Sequence, residues 1–127
     1  RRRCGWIDLV ALHYAARING FSGLALTRLD VLAGLPEVRL CVAYRLPDGT
    51  ATEDYPRDAE LIDKVTAVYE TMAGWHGEIC AARRFSDLPR AAQDYCTRVS
   101  ELLQVPIDLI SVGAERNDLI ALRWPIG

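Results

Sequence analysis

Two short segments, residues 23–28 and 107–110, are apolar at nearly every position, and they constrain the fold more than any other feature. Strands buried on both faces have this composition and occur inside largely parallel sheets, whereas a strand with one wet face alternates apolar and polar residues. Residues 38–45 do alternate in this way, and helical periodicity covers residues 8–19 and about 89–104. We therefore predict an α/β fold, with a mixed sheet of parallel core strands, an antiparallel hairpin and flanking helices.

Local signals set the limits of the other elements. Asp8 can cap the first helix, and Asn19-Gly20 can end it. Ser86 followed by Pro89 predicts the start of the second helix, as a capping side chain and a proline in the first turn. The remaining predicted elements are a hairpin turn at 46–50, strands at 50–55, 65–70 and 119–122, and short helical turns within 30–35 and 58–63.

Length, charge and cysteine usage exclude several classes of protein. The 127 residues suit one domain, and the net charge of -2 gives no reason to expect a nucleic-acid partner. No apolar run approaches the ~20 residues of a membrane span, and no signal peptide is recognised. None of the cysteines stands in a C-x-x-C pair or at ligand spacing to His13 or His76, so we expect reduced thiols, no metal site and a cytoplasmic location.

The two apolar strands end in polar turns that are candidates for a ligand site. Ligands of open α/β sheets bind beyond the carboxyl ends of parallel strands. Thr27–Asp30 and Ser111–Gly113 follow the two apolar strands directly. If the strands are parallel and close together, both turns should lie at one edge of the sheet.

Asp30 and Arg28 could together bind a purine base. A carboxylate accepts two adjacent hydrogen bonds, and guanine presents such a pair of donors at N1–H and its 2-amino group. The flat side chain of Arg28 could lie over the purine face. The alternative is that Asp30 only caps the turn that follows it. Ser111–Gly113 could bind a ligand through the serine hydroxyl and through backbone groups that the glycine allows to approach closely. The alternative is that it is only the turn that ends a strand.

The basic start of the chain is a third candidate. Arg1, Arg2 and Arg3 precede the helix that should begin near Asp8, and arginines beside a helix start suit phosphate or carboxylate groups. A solvated charge run is the alternative. The chain contains no glycine-rich phosphate loop and no catalytic motif that we can name.

Five stretches of the chain match a known set of motifs: Arg2–Asp8 with Val10–Leu12, Gly23–Leu32, Cys41–Arg45, Val68–Trp75 and Val105–Gly113. They resemble stretches of the adenylosuccinate synthetase family. They follow one another in the family's order, so their combined specificity is high. Membership would make the chain a C-terminal, guanine-nucleotide-binding segment, 1–127, of a larger P-loop-NTPase-like domain.

The resemblance also implies an activity and roles for individual residues. The family joins IMP and L-aspartate with GTP as co-substrate and magnesium as cofactor, and it forms homodimers. Asp30 matches the residue that reads guanine, Leu29 matches one that lines the base, and Arg28 stands where lysine is usual. The resemblance assigns the second guanine contact to Ser111, Val112 and Gly113, and it places Arg1 and Arg2 in the aspartate loop, with Arg2 also reaching GTP.

The family's catalytic residues, magnesium ligands and phosphate loop lie towards its N-terminus, outside these residues. We therefore expect no catalytic residue, no metal ligand and no ligase activity in this segment alone. Two other hypotheses stay open, a non-catalytic nucleotide-binding or interaction module and an inactive fragment. The family match is weak after Arg116, and Ala73 and Ala114 replace the usual prolines.

Overall fold

The computed structural model describes residues 6–20 and 23–122 and has a mixed α/β fold, as predicted. The chain divides into two compact units. Of the described residues, the first unit comprises 6–20 and 39–71, and the second comprises 23–38 and 72–122. None of the described helices is long and apolar enough to cross a membrane.

In the first unit, strand β1 (Ile7–Asp8) leads directly into helix α1 (Leu9–Asn19). The helix begins where predicted, because an Asp8 carboxylate oxygen accepts a hydrogen bond from the Ala11 amide at 3.1 Å. It ends at Gly20, whose φ of 66° is readily adopted only by glycine.

Strand β3 (Glu37–Arg45) holds the first sheet together. It pairs in parallel with β1, in antiparallel with β4 (Ala51–Thr52), and also with β5 (Thr66–Ala73). The predicted hairpin is therefore confirmed, although its returning strand has only two residues. A short helix, α2 (Ala59–Ile62), lies between β4 and β5.

Tyr44 on β3 links this sheet to the start of α1. Its hydroxyl donates to the second carboxylate oxygen of Asp8, and its ring is buried with Val10 and Cys41. Burial, together with the hydrogen bond to the charged Asp8, raises the pKa of the Tyr44 hydroxyl. One carboxylate thus caps the helix and joins it to the sheet.

The second unit contains a three-stranded sheet in the order β2 (Leu24–Leu26), β6 (Ile107–Ser111), β7 (Leu119–Ala121). Ile107 and Ile110 of β6 are fully buried. The prediction that both apolar strands lie inside the sheet is correct for β6 and wrong for β2, which forms an edge among the described strands. An apolar run indicates burial but does not specify how many strands flank it.

Helix α3 (Arg90–Leu103) packs its apolar stripe into the second unit. Its buried residues are Ala92, Tyr95, Cys96, Val99, Ser100 and Leu103. The predicted start was wrong in detail, because Pro89 is the N-cap and makes no side-chain cap, while Ser86 belongs to a separate 3-10 turn, Phe85–Asp87. The Asp87 side chain instead accepts the amides of Arg83 and Arg84, just upstream of that turn.

Cys41, Cys80 and Cys96 are free thiols, and Cys4 lies outside the described residues. Burial raises the pKa of the Cys96 thiol to about 12, so it is protonated at neutral pH. Cys96 is therefore a packing residue and not a nucleophile.

Candidate functional site: the edge formed by beta2 and beta6

The two predicted ligand turns follow strands that are neighbours and parallel. Leu24 pairs with Ile107, and Leu26 pairs with Ile110, so the carboxyl ends of β2 and β6 lie side by side. The 3-10 turn after β2, Leu29–Leu32, contacts β6. This confirms the expectation that both turns share one edge of the sheet.

The turn after β2 is set by an unusual backbone conformation. The Arg28 backbone has φ 53° and ψ 52°, which is the left-handed region that residues other than glycine seldom adopt. Leu29 then turns inwards and is 3% exposed. Asp30 lies inside the turn, whose N-cap position is occupied by Arg28.

Arg28 and Asp30 form a bidentate ion pair. The Arg28 Nε donates to one Asp30 oxygen and Nη2 donates to the other, each at 3.0 Å. The hydrogen bond from Arg28 holds the pKa of the Asp30 carboxyl below its usual value, and the backbone amides of Asp30 and Val31 act in the same direction. Asp30 is therefore a charged acceptor at neutral pH, with a side chain that is still 20% exposed.

The turn after β6 brings backbone groups to the same edge. The Ser111 hydroxyl donates to the Gly113 carbonyl at 3.2 Å, and Val112 is fully buried. The Val112 amide donates to the Asp118 carbonyl at 2.8 Å. A Cβ on Gly113 would lie 2.3 Å from a carboxylate oxygen of Asp118, so a side chain there would require the Asp118 carboxylate to move.

A second ion pair, which the sequence did not suggest, adjoins this turn. Arg83 Nη2 donates to Asp118 at 3.2 Å, and Arg83 Nη1 donates to the carbonyls of Cys80 and Ala82. The hydrogen bonds that Arg28 donates to Asp30 are the main cause that raises the pKa of Arg28, and Cys80 and Asp118 add to it. No local pattern could have predicted this pair, because its members lie 35 residues apart.

The other predicted site residues fall elsewhere. Arg1 and Arg2 lie outside the described residues, so their predicted contacts stay predictions. Within residues 6–20 and 23–122, no group of three or more His, Cys, Asp or Glu side chains could hold a metal ion, so we assign none of these residues to magnesium.

The first unit has an open cavity of a different kind. It has a volume of about 560 Å³ and is lined by Arg17, Arg57 and the rings of Tyr14 and Tyr55, which stack 4.9 Å apart. None of the residues singled out from the sequence as site residues lines it.

Residues 1–120 match the family model for adenylosuccinate synthetase. The chain belongs to the adenylosuccinate synthetase family. A chloroplastic adenylosuccinate synthetase from Oryza sativa subsp. indica is 50% identical over 119 residues, which are 94% of this chain and 24% of that protein. The adenylosuccinate synthetase of Vibrio cholerae serotype O1 is 45% identical over 98% of this chain and 29% of its own length.

A solved structure of an adenylosuccinate synthetase also matches the fold. The fully ligated adenylosuccinate synthetase from Plasmodium falciparum superposes with a TM-score of 0.90 at 36% identity, covering 96% of this chain and 30% of that one. This chain therefore spans roughly a quarter to a third of the length of the adenylosuccinate synthetases that it matches.

Proposed function

We propose that the protein to which this segment belongs is a GTP-dependent ligase that joins IMP and L-aspartate to form adenylosuccinate, a step of AMP biosynthesis. Family membership supports the reaction. We further propose that this segment recognises the guanine base of GTP. The observation that carries this role is the partly exposed, charged carboxylate of Asp30 at the edge of the sheet where β2 and β6 end side by side.

The two oxygens of Asp30 match the two donors on guanine. N1–H and the 2-amino group are parallel and spaced to meet both oxygens of a carboxylate. Arg28 already occupies both oxygens in the same bidentate manner. A planar base and a planar guanidinium cannot both approach the two oxygens end-on, so GTP must displace Arg28 from Asp30.

Displacement gives Arg28 a second role. Its guanidinium is then free to lie flat on the base, where stacking and cation–π attraction offset the lost ion pair. Leu29 would line the base, and Ser111, Val112 and Gly113 would supply the contact from the second turn. A backbone amide or the hydroxyl of the turn Ser111–Gly113 can form a hydrogen bond with the polar edge of the base that Asp30 does not contact.

The rest of the reaction needs groups beyond this segment. We propose that Arg1 and Arg2 belong to the aspartate loop, with Arg2 also reaching GTP. Magnesium would neutralise phosphate charge during transfer, and we propose that its ligands and the catalytic residues lie in the other part of the protein. A homodimer and a cytoplasmic location complete the proposal, although several plant relatives are named chloroplastic.

A series of nucleotides tests the proposed base site. We expect the complete enzyme to bind GDP most tightly, IDP about tenfold more weakly, and ADP most weakly, as measured by calorimetry. IDP lacks the 2-amino donor and so loses one hydrogen bond to a charged acceptor, while adenine presents an acceptor at N1. Equal affinities would contradict guanine recognition. The 127-residue chain alone should form no adenylosuccinate from IMP, aspartate and GTP.

A further inference from the structure

Arg83 connects two loops of the second unit through three acceptors. Its Nη1 donates to the Cys80 carbonyl at 2.6 Å and the Ala82 carbonyl at 2.8 Å, and its Nη2 donates to Asp118. Guanidinium groups suit this task because their donors are fixed in one plane. The Arg83 side chain is half-exposed, so its ion pair with Asp118 contributes little to stability. Its role is to hold the two loops in a fixed geometry.

Asp118 in turn fixes the turn after β6. Its second carboxylate oxygen accepts the Glu115 amide at 3.1 Å, and its backbone carbonyl accepts the Val112 amide. The same carboxylate lies where a side chain on Gly113 would stand. Any shift of Asp118 therefore moves the backbone of the segment that we propose as the second guanine contact.

In the structure each carboxylate has its own arginine, because Arg83 pairs with Asp118 and Arg28 pairs with Asp30.

We propose that Arg83 is a positioning residue of the guanine site, which it shapes by holding Asp118 against the turn Ser111–Gly113. This proposal rests on the proposed function of that edge. Arg83 does not touch the nucleotide; it acts through Asp118.

The test compares two neighbouring arginines in the complete enzyme. Arg83→Met removes the three hydrogen bonds that the Arg83 side chain donates. Arg84→Met removes the same charge, but it keeps the hydrogen bond from the Arg84 backbone amide to Asp87. We expect Arg83→Met to weaken GDP binding about three- to tenfold, by loss of ordering in the turn. The KM for IMP and for aspartate should stay within about twofold, and Arg84→Met should match the wild type.

Further variants separate positioning from general damage. Arg83→Lys keeps the charge but has all its donors on one nitrogen and loses the planar fork, so it should restore only part of the affinity. Asp118→Asn should weaken GDP binding in the same way and add little to Arg83→Met in the double variant. If Arg83→Met does not fold, Asp118→Asn tests the proposal in its place. Equal GDP affinity in Arg83→Met and Arg84→Met, or an equal rise in all three KM values, would overturn the proposal.

The outcome is separable from that of the proposed guanine site. Asp30→Asn addresses the base contact itself. If Asp30→Asn leaves GDP binding unchanged, the guanine site is wrong. If Asp30→Asn weakens binding and Arg83→Met does not, only the role of Arg83 fails.

Discussion

Replacing Asp30 with asparagine should weaken GTP binding by about 100-fold in the complete enzyme, through loss of charge-assisted hydrogen bonds. The asparagine side chain keeps one acceptor and turns an NH2 group towards a donor of the base. It also releases Arg28, which in the native protein competes for the same two oxygens. That release offsets part of the loss, so the effect should be smaller than the sum of two lost bonds.

The measurements are the dissociation constant for GDP and the KM values for GTP and IMP. We expect the KM for IMP to change less than twofold, because Asp30 is proposed to contact only the guanine base. Asp94→Asn is the matched control. Asp94 also accepts from an arginine Nε at 3.0 Å, but its pair with Arg90 is exposed on helix α3.

A base with the opposite hydrogen-bonding pattern gives a positive test. Xanthine carries an oxygen in place of the 2-amino group, so it can accept from the amide of Asp30→Asn. Xanthosine diphosphate should therefore bind the variant more tightly than it binds the native enzyme. Parallel losses for GTP, IMP and xanthosine nucleotides would instead indicate that Asp30 serves only to hold the turn.

The position of this site could be predicted from the sequence because it depends on local composition. Continuous apolar strands end at Thr27 and Ser111, and parallel pairing of such strands brings the two ends together. The pairing of Arg28 with Asp30 could not be predicted. It requires the left-handed backbone at Arg28, and nothing about an arginine indicates that conformation.

One long-range contact and one local contact explain two other differences. Asp118 lies close to Gly113 in sequence, but Arg83 reaches it from a different loop. The start of helix α3 was predicted from Ser86. In the structure Pro89 is the N-cap, and the neighbouring Asp87 accepts hydrogen bonds from the amides of Arg83 and Arg84, which precede it. Capping residues identify a helix start only when the neighbouring amides have no other acceptor.

Gly74 is the second position at which one substitution should have a large effect. In the structure Gly74 packs against the backbone of another segment. A Cβ there would lie 1.9 Å from the Leu35 carbonyl oxygen. The Gly74 amide donates to the Pro36 carbonyl at 3.1 Å, and the Trp75 carbonyl accepts from the Gly34 amide at 2.7 Å. The two backbones cannot separate without breaking these bonds.

Gly74→Ala should therefore lower the free energy of unfolding by about 3 kcal/mol, at the upper end of overpacking costs because the clash is with backbone. Trp75 is buried and lies 5.5 Å from the Tyr95 ring, so a shift of the loop also disturbs the core. Urea denaturation followed by tryptophan fluorescence measures the loss. Gly77→Ala is the control, because it has φ 86° but nothing within 4 Å, and it should cost only about 1 kcal/mol of backbone strain. Equal losses in the two variants would mean that backbone conformation, and not close approach, requires glycine at Gly74.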